Sequence, residues 1–187
     1  MGFLLVITAP SGTGKTTIYR DILSRHPEIS FSVSYTTREK RSGEVNGEDY
    51  FFISREKFLR MVEKNSFLEW AEVHDDLKGT EKQQVVDSLK RGKVCLLDVD
   101  VQGALSIMKN YPDAVTVFIQ PPSLKELENR LRKRGTESEE KLRVRLLNAK
   151  KELEYAPRFH YIVVNDKVEN AVKKIEEIIE KEKKERG

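Results

Sequence analysis

A strand that runs directly into a phosphate-binding loop constrains this chain more than any other feature. After an apolar run, Ala9–Thr16 has the spacing G-x-x-x-x-G-K-[ST], with alanine in place of the first glycine. Gly12 and Gly14 let the backbone turn tightly enough to aim successive N–H groups at phosphate oxygens. Lys15 supplies a compact positive charge for the β- and γ-phosphates, and the Thr16 hydroxyl can ligate Mg²⁺. A chance Lys-Thr after a turn is the alternative, but the flanking strand and helix patterns favour nucleoside-triphosphate binding.

Apolar runs alternate with helical patterns along the rest of the chain, which predicts an α/β fold. We expect a P-loop parallel sheet with helices on both faces, because the run at Val94–Leu97 is continuous rather than alternating. The predicted core strands lie at residues 3–8, 31–33, 94–98, 115–119 and 161–164. The pattern also predicts a long amphipathic helix at Val168–Ile179, with an N-cap at Asn165 or Asp166 and a frayed tail at 180–187.

Residues 34–80 interrupt the alternation of strands and helices. This stretch predicts short strands at Asp49–Ile53 and Phe67–Val73, with one helix at Ser54–Glu63 between them. We interpret it as a small mixed α+β lobe inserted into the core.

Residues 124–155 form a second interruption, with the pattern of a helical hairpin. The first helix ends at Gly135, a natural residue for a helix end, and 136–139 then fits a capping box that starts the second helix. The hairpin is rich in arginine, at positions Arg130, Arg132, Arg134, Arg143 and Arg145. In a phosphate-binding protein this composition suggests a lid, although some of these side chains, Arg132 and Arg143 among them, fit a solvated helix face.

Length and composition limit the number of domains, the kinds of partner and the disulfide or zinc sites that the chain can have. The chain of 187 residues suits one domain, with a core at 1–33, 81–123 and 156–187, the lobe at 34–80 and the lid at 124–155. The balance of 34 Lys and Arg against 31 Asp and Glu gives no case for a nucleic-acid partner. The single Cys95 excludes an intramolecular disulfide and a cysteine-cluster zinc site. No apolar run approaches the ~18 residues of a membrane span, so we expect no membrane partner and a cytoplasmic protein.

The segment Ser34–Arg41 concentrates hydroxyl groups and cations in the predicted lobe. Arg38 and Arg41 carry guanidinium forks that suit phosphate oxygens, and a solvated basic loop explains the segment equally well at this stage. The Tyr50 hydroxyl could donate to the same phosphate, or its ring could be a half-buried strand aromatic.

Three carboxylates stand out by their positions. Glu69 shares a strand face with apolar residues, so its carboxylate needs a partner. That partner is either an arginine or a ligand with two adjacent donors, such as N1–H and the 2-amino group of guanine, a pair that adenine lacks. Asp98 and Asp100 end a buried strand beside the loop, where one could hold a Mg²⁺-bound water and the other could cap the next helix.

Taken together, these segments resemble the guanylate kinase family over nearly the whole chain. The resemblance also rests on five further segments, 43–47, 67–73, 97–103, 121–123 and 134–137, and on Val164-Asn165-Asp166. It implies an ATP:GMP phosphotransferase that uses Mg²⁺, held by Thr16 and by Asp98, either directly or through water. Such an enzyme needs no general base, because the acceptor phosphate is already anionic.

The resemblance also implies roles for individual residues. The ATP site would comprise Ala9, Pro10, Ser11, Gly12, Thr13, Gly14, Lys15, Thr16, Thr17, Arg130, Arg134 and Asn165. The GMP site would comprise Ser34, Arg38, Arg41, Tyr50, Glu69, Thr80 and Asp100. Catalysis would fall to Lys15, Arg38, Arg134 and Arg145. The lobe and the lid would swing shut over the core when both substrates bind.

Two residues depart from the family's pattern. Ala9 replaces a glycine. The loop tolerates alanine at this position if its φ angle is negative. Lys78 stands where the family usually has tyrosine, and it either donates to the acceptor phosphate as a point charge or points to solvent.

Two other functions are compatible with the same fold. One is a catalytically inactive guanylate kinase-like module that binds phosphopeptides, although such modules typically have a degraded phosphate loop. The other is a kinase for a different nucleoside monophosphate, against which Glu69 and Ser34 speak. The sequence leaves open whether the chain is a monomer or a homo-oligomer.

Overall fold

The computed structural model describes residues 1–73, 75–133 and 138–187. Within that part of the chain the strands are β1 (Leu4–Thr8), β2 (Ser30–Ser32), β3 (Tyr35–Thr36), β4 (Phe51–Phe52), β5 (Phe67–Val73), β6 (Asp76–Glu81), β7 (Cys95–Asp98), β8 (Val115–Gln120) and β9 (Tyr161–Val164). The helices are α1 (Lys15–Arg25), α2 (Arg55–Glu63), α3 (Lys82–Lys90), α4 (Val101–Asn110), α5 (Leu124–Lys133), α6 (Glu139–Leu153) and α7 (Val168–Arg186).

Among the described strands, β2, β7, β1, β8 and β9 pair in that order into one sheet, and every pairing is parallel. The central strand β1 leads into the loop at residues 9–14. Its neighbour β7 ends at Asp98, which lies opposite Ile7 in the register. Because parallel strands end at one edge of the sheet, Asp98 is placed beside the entry of the loop.

Successive residues of β1 pack against helices on opposite faces of this sheet. Leu5 belongs to an apolar cluster with Ile18 of α1 and Ile175 of α7. Leu4 belongs to a second cluster with Ile107 of α4. The predicted α/β fold with helices on both faces is therefore confirmed.

A second sheet forms within residues 34–81, with the described strands in the order β4, β3, β6 and β5. The helix α2 packs the fully buried Phe58 against this sheet, and the Ser54 hydroxyl caps its first turn, close to the predicted helix. The predicted strand at Asp49–Ile53 was too long, since only β4 is extended there. The sequence analysis did not predict β3 or β6, because β6 has a charged, glycine-containing sequence without apolar alternation.

The hairpin of α5 and α6 is held by its own small apolar cluster, which includes Leu127, Leu131 and Leu142. The predicted helix end at Gly135 lies outside the described residues. The first residue of α6 is Glu139, and the Ser138 hydroxyl caps it. The predicted capping box begins at Thr136, which lies outside the described residues; its placement of Glu139 three residues into the helix was wrong, because Ser138 is the N-cap.

The last helix departs from the prediction at both ends. Lys167 occupies the N-cap position of α7 without a side-chain bond, so neither Asn165 nor Asp166 caps the helix. At the other end α7 continues to Arg186 instead of fraying, because Glu182 accepts a hydrogen bond of 2.6 Å from the Tyr161 hydroxyl. Neither this charged helix nor any other helix of the described residues is long and apolar enough to cross a membrane.

Candidate active site

The loop after β1 has the backbone geometry that its glycines predict. Gly12 and Gly14 have positive φ angles of 90° and 94°. Ala9 is not among the described non-glycine residues with positive φ, so alanine fits the position without strain. A Cβ at Gly12 would lie 2.6 Å from Cδ2 of Leu131 in α5, so the loop also needs glycine there for close packing.

Two residues of the implied ATP site lie against this loop rather than in an open cleft. The Asn165 side-chain amide donates to the Thr13 carbonyl at 2.6 Å. The Arg130 guanidinium donates to the Asn165 carbonyl at 3.0 Å and to the Thr13 carbonyl at 3.4 Å. Both side chains therefore support the loop in this structure.

Two adjoining cavities open at the carboxyl edge of the parallel sheet, with volumes of about 350 and 460 Å³. The first, which we call the loop cavity, is lined by residues 9–17, Ser34, Arg41, Tyr50, Glu69, Val73, Lys78, Gly79, Asp98, Val99, Asp100, Arg145 and Glu152. The second, which we call the lobe cavity, is lined by Thr16, Tyr19, Arg20, Arg38, Arg41, Ser42, Gly43, Glu44, Asp49, Tyr50, Val73, Asp76 and Lys78. Together they have the size of a small-molecule binding site.

The structure thus brings most of the expected site residues to one place. Arg38 reaches the lobe cavity, while Thr80, Arg130 and Asn165 lie behind the lining residues. Arg134 falls outside the described residues.

Lys15 is held at the floor of the loop cavity. Its ammonium donates to the Val99 carbonyl at 2.5 Å and pairs with Asp98 Oδ1 at 2.5 Å. Both partners lie at the end of β7, so the parallel register of β1 and β7 fixes this lysine beside the loop.

Asp98 and Asp100 differ in their contacts, and the helix cap that the sequence predicted for one of them is confirmed for Asp100. Asp100 caps α4, since its carboxylate accepts from the Gly103 N–H at 2.9 Å. Asp98 and Thr16 both line the loop cavity and offer a carboxylate and a hydroxyl oxygen. Hard oxygen donors of this kind suit Mg²⁺, which binds proteins through few side chains and keeps ligands from water and phosphate.

Glu69 is the most perturbed carboxylate of the cleft. Its side chain is only 7% exposed, and burial raises its pKa to about 7. The fully buried Thr80 hydroxyl donates to Glu69 Oε1 at 2.7 Å. On the other side, a Cβ at Gly103 would lie 2.7 Å from Glu69 Oε2. The carboxylate is therefore fixed between β6 and α4, in the wall of the loop cavity.

On the lobe side, Arg38 is oriented by its neighbours. Its two terminal nitrogens donate to the two carboxylate oxygens of Glu44 at 2.7 and 3.0 Å. This guanidinium holds the pKa of the Glu44 carboxyl below its usual range. The Arg38 guanidinium carbon also lies 5.4 Å from the ring centroid of Tyr50, whose pKa is raised by burial. An arginine fixed in this way presents a positive charge to the lobe cavity.

The lid hairpin reaches the loop through α6. Arg145 Nη1 lies 3.4 Å from the Ser11 hydroxyl oxygen, and Arg145 lines the loop cavity. Glu152, which the sequence analysis missed, lines the same cavity, and burial raises its pKa. Its spacing of three residues from the buried Ala149 was the available signal, because it places the carboxylate near the packed face of α6.

Lys78 is a charged lining residue for which the sequence analysis left two positions open, at the acceptor phosphate or in solvent. The structure places it in the wall of both cavities rather than in solvent. Its neighbour Gly79 was the only local hint, since a glycine in a strand marks a close approach of other atoms.

We expect Thr80→Val to raise the pKa of Glu69 further above about 7. The variant keeps the side-chain volume but removes the hydroxyl that stabilises the ionised carboxylate. Carboxyl carbon NMR of glutamate-labelled protein, followed against pH, measures this change. Thr8→Val is the matched control, because the buried Thr8 hydroxyl has no hydrogen-bond partner among the described residues. An unchanged or lowered pKa in Thr80→Val would contradict the assigned hydrogen bond.

The parallel sheet, the P-loop and the cation-lined cleft define a P-loop kinase fold. Among solved structures, a shikimate kinase from Bacteroides thetaiotaomicron shares this fold, with a TM-score of 0.51 at 17% identity over 95% of this chain and 98% of its own. A guanylate kinase from Anaplasma phagocytophilum is far more similar, with a TM-score of 0.81 and 32% identity over 97% of this chain and 86% of its own.

The sequence comparisons identify the family. The family model described as guanylate kinase matches residues 1–182. A guanylate kinase from Thermotoga maritima is 49% identical over 97% of this chain and 88% of its own length. One from Caldanaerobacter subterraneus subsp. tengcongensis is 47% identical over the same shares of the two chains. The chain belongs to the guanylate kinase family.

Proposed function

We infer that the chain transfers the γ-phosphate of ATP to GMP, giving ADP and GDP, and we propose that dGMP is a second acceptor. The observation that carries this assignment is the Glu69 carboxylate, fixed in the wall of a cleft that also contains an intact P-loop. A carboxylate accepts two adjacent donors, and guanine offers N1–H and its 2-amino group in that arrangement. Family membership supports the same activity.

We propose that the two cavities bind different parts of the two nucleotides. The loop at residues 9–17 would hold the ATP phosphates, with Arg130 and Asn165 supporting it from behind. Arg38, Arg41 and Tyr50 line the lobe cavity, where they would bind the GMP phosphate. The guanine base would lie against Ser34, Glu69 and Asp100, and Thr80 would act through Glu69.

We further propose that residues 34–80 act as the acceptor lobe and residues 124–155 as the lid, around a core formed by the rest of the chain. The contacts of Arg145 with Ser11 and of Leu131 with Gly12 support this assignment, since they bring the hairpin onto the loop. Closure of these parts over bound substrates would exclude water and so limit ATP hydrolysis. Arg134 is proposed as a second lid arginine on the family resemblance alone.

The proposed reaction uses Mg²⁺, for which Thr16 and Asp98 are the candidate residues. When bound, the ion would supply positive charge to the donor phosphates. Asp98 supports this assignment, since it lines the loop cavity and is the ion-pair partner of Lys15.

The side chains contribute positioning and charge rather than proton transfer. The acceptor phosphate is anionic at neutral pH, so the barrier arises largely from repulsion between anions. Lys15 and Arg38 approach the reacting phosphates from the two cavities, and Arg145 approaches from the lid. Their charges would offset that repulsion in the transition state.

Transfer of label tests this function directly. The protein is incubated with Mg²⁺, GMP and ATP labelled in the γ-phosphate, and the products are separated by chromatography. We expect the label in GDP, with loss of transfer when EDTA removes the metal. Binding of GMP without any labelled GDP would instead favour the inactive phosphopeptide-binding module.

The pKa of Glu69 predicts a pH dependence of GMP recognition. A protonated carboxyl cannot accept both guanine donors, so the KM for GMP will rise as pH falls through about 7. One pH unit below that value, the rise will be about tenfold. Steady-state kinetics between about pH 5.5 and 9 measure it.

Two controls separate Glu69 from other titrating groups. The KM for ATP over the same range will not show this rise. Glu69→Gln cannot titrate, so it will keep only the component due to the GMP phosphate, whose second pKa is about 6. A wild-type KM for GMP that stays flat between pH 8 and about 6 would contradict the role of Glu69.

A further inference from the structure

Lys78 lies where the two cavities meet. It belongs to β6, opposite Thr36 of β3 and Ala71 of β5. Its side chain lines the loop cavity together with Lys15 and the lobe cavity together with Arg38. The ammonium is 5.4 Å from the ring centroid of Tyr50, a residue that also lines both cavities. Lys78 therefore faces both proposed phosphate sites from one point.

The Lys78 side chain is half-buried and its ammonium has no ion-pair partner. Within the described residues, no carboxylate lies within 4.0 Å of its nitrogen, whereas Lys15 is paired with Asp98 and Arg38 with Glu44. A partly desolvated cation without an ion-pair partner costs free energy, so packing alone gives no reason for a lysine here. An anion in the cleft would supply the missing partner.

The charged groups around Lys78 also indicate a binding site for an anion. Burial lowers the pKa of Lys78, and the nearby cations Lys15 and Arg38 lower it further. Asp98 and Asp100 raise it, and Lys78 in turn lowers the pKa of Glu69 on β5. Repulsion from two cations adds to the cost of desolvating the Lys78 ammonium. A multiply charged anion bound at this site would offset both costs.

We propose that Lys78 is a catalytic residue whose ammonium contacts the phosphoryl group as it passes from ATP to GMP. This proposal rests on the proposed function and goes beyond a ligand of either nucleotide alone. The bond from the γ-phosphorus to the β–γ bridging oxygen breaks, and its electron pair stays on ADP. A GMP phosphate oxygen forms the new bond to that phosphorus, while Lys78 keeps its proton and contributes only charge.

The test compares Lys78→Met and Lys78→Arg with the wild-type protein in steady-state kinetics. Lys78→Met removes the charge at similar length, and we expect kcat to fall by at least about tenfold. The KM for ATP will stay within about twofold, because the P-loop contacts remain. Lys78→Arg keeps a charge with a different shape, so we expect it to restore part of the lost kcat.

Lys57→Met is the matched control, since Lys57 is an exposed lysine of α2 in the same lobe. It will leave kcat and both KM values unchanged. The wild-type protein in the same assay tests the proposed function separately. An inactive wild type would refute that function, whereas an active wild type with a normal Lys78→Met variant would refute only the role of Lys78.

A thermal unfolding measurement without nucleotide gives a readout independent of turnover. We expect Lys78→Met to unfold at the same temperature as the wild type or above it, because a half-buried cation without an ion-pair partner is removed. Three results would overturn the proposal. They are a kcat of Lys78→Met within about twofold of wild type, no rescue by Lys78→Arg, or a lowered unfolding temperature that marks Lys78 as structural.

Discussion

Replacing Lys15 with methionine will lower kcat by about 10³-fold or more while the protein stays folded. The ammonium is the one charge that the P-loop sequence places between the donor phosphates, and the structure holds it at the end of β7. Its charge acts most strongly in the transition state, where repulsion between the two phosphate groups is greatest. The loss will therefore appear mainly in kcat, measured by release of ADP under saturating ATP, Mg²⁺ and GMP.

The same substitution has a predictable effect on stability. Asp98 would lose its ion-pair partner in a cleft that is partly open to water, where the two side chains are 18% and 13% exposed. We expect a loss of about 1–3 kcal/mol in the free energy of unfolding, measured by urea denaturation. Lys64→Met, at the exposed end of α2, is the control for both measurements. A folded Lys15→Met protein with a nearly normal rate would contradict the assigned role of the loop.

The second large effect concerns the choice of base. Glu69→Gln will lower kcat/KM for GMP by about 10³-fold, because one acceptor oxygen is replaced by an NH₂ donor that faces a guanine donor. The amide can pair with adenine, which presents one donor and one acceptor, so the preference for GMP over AMP will shrink. Parallel measurements of kcat/KM for GMP and AMP test both statements.

A measurement of folding stability distinguishes the loss of GMP recognition in Glu69→Gln from misfolding. The Glu69 carboxylate is desolvated at 7% exposure, so a neutral amide of the same shape will not destabilise the fold above pH 7. Glu72→Gln is the matched control, since Glu72 lies on the same strand, paired across the sheet with Leu77 and exposed to solvent. A kcat/KM for GMP within about threefold of wild type in Glu69→Gln would contradict the role of Glu69.

The local sequence is sufficient to predict the phosphate-binding loop and the strands of the parallel core. The glycines at positions 12 and 14 predict left-handed backbone, and both have it. The run at Val94–Leu97 predicts a strand covered on both faces, and it forms β7, which lies between β2 and β1 with apolar clusters on both of its faces. In both cases a few adjacent residues determine the local structure, and contacts with distant residues have little effect on it.

The rest of the candidate site depends on contacts between distant residues. The apolar flanks of Glu69 predict a carboxylate in need of a partner, but its bond to Thr80 forms only when β5 and β6 pair. The pattern of β6 lacks apolar alternation, so that strand could not be predicted, and the sequence left open whether Lys78 faces the cleft or solvent. The cap predicted for α7 is wrong for the same reason, because Asn165 donates its side-chain hydrogen bond to the Thr13 carbonyl instead of capping α7.

The central claim is that a P-loop kinase site in this chain selects guanine through Glu69. The most direct test measures ADP release with ATP and Mg²⁺ against GMP, dGMP, AMP, UMP and dTMP in parallel. We predict fast turnover with GMP and dGMP and little with the other three nucleotides. Faster turnover with AMP, UMP or dTMP than with GMP would leave the fold and the loop intact and contradict the assignment of the base site.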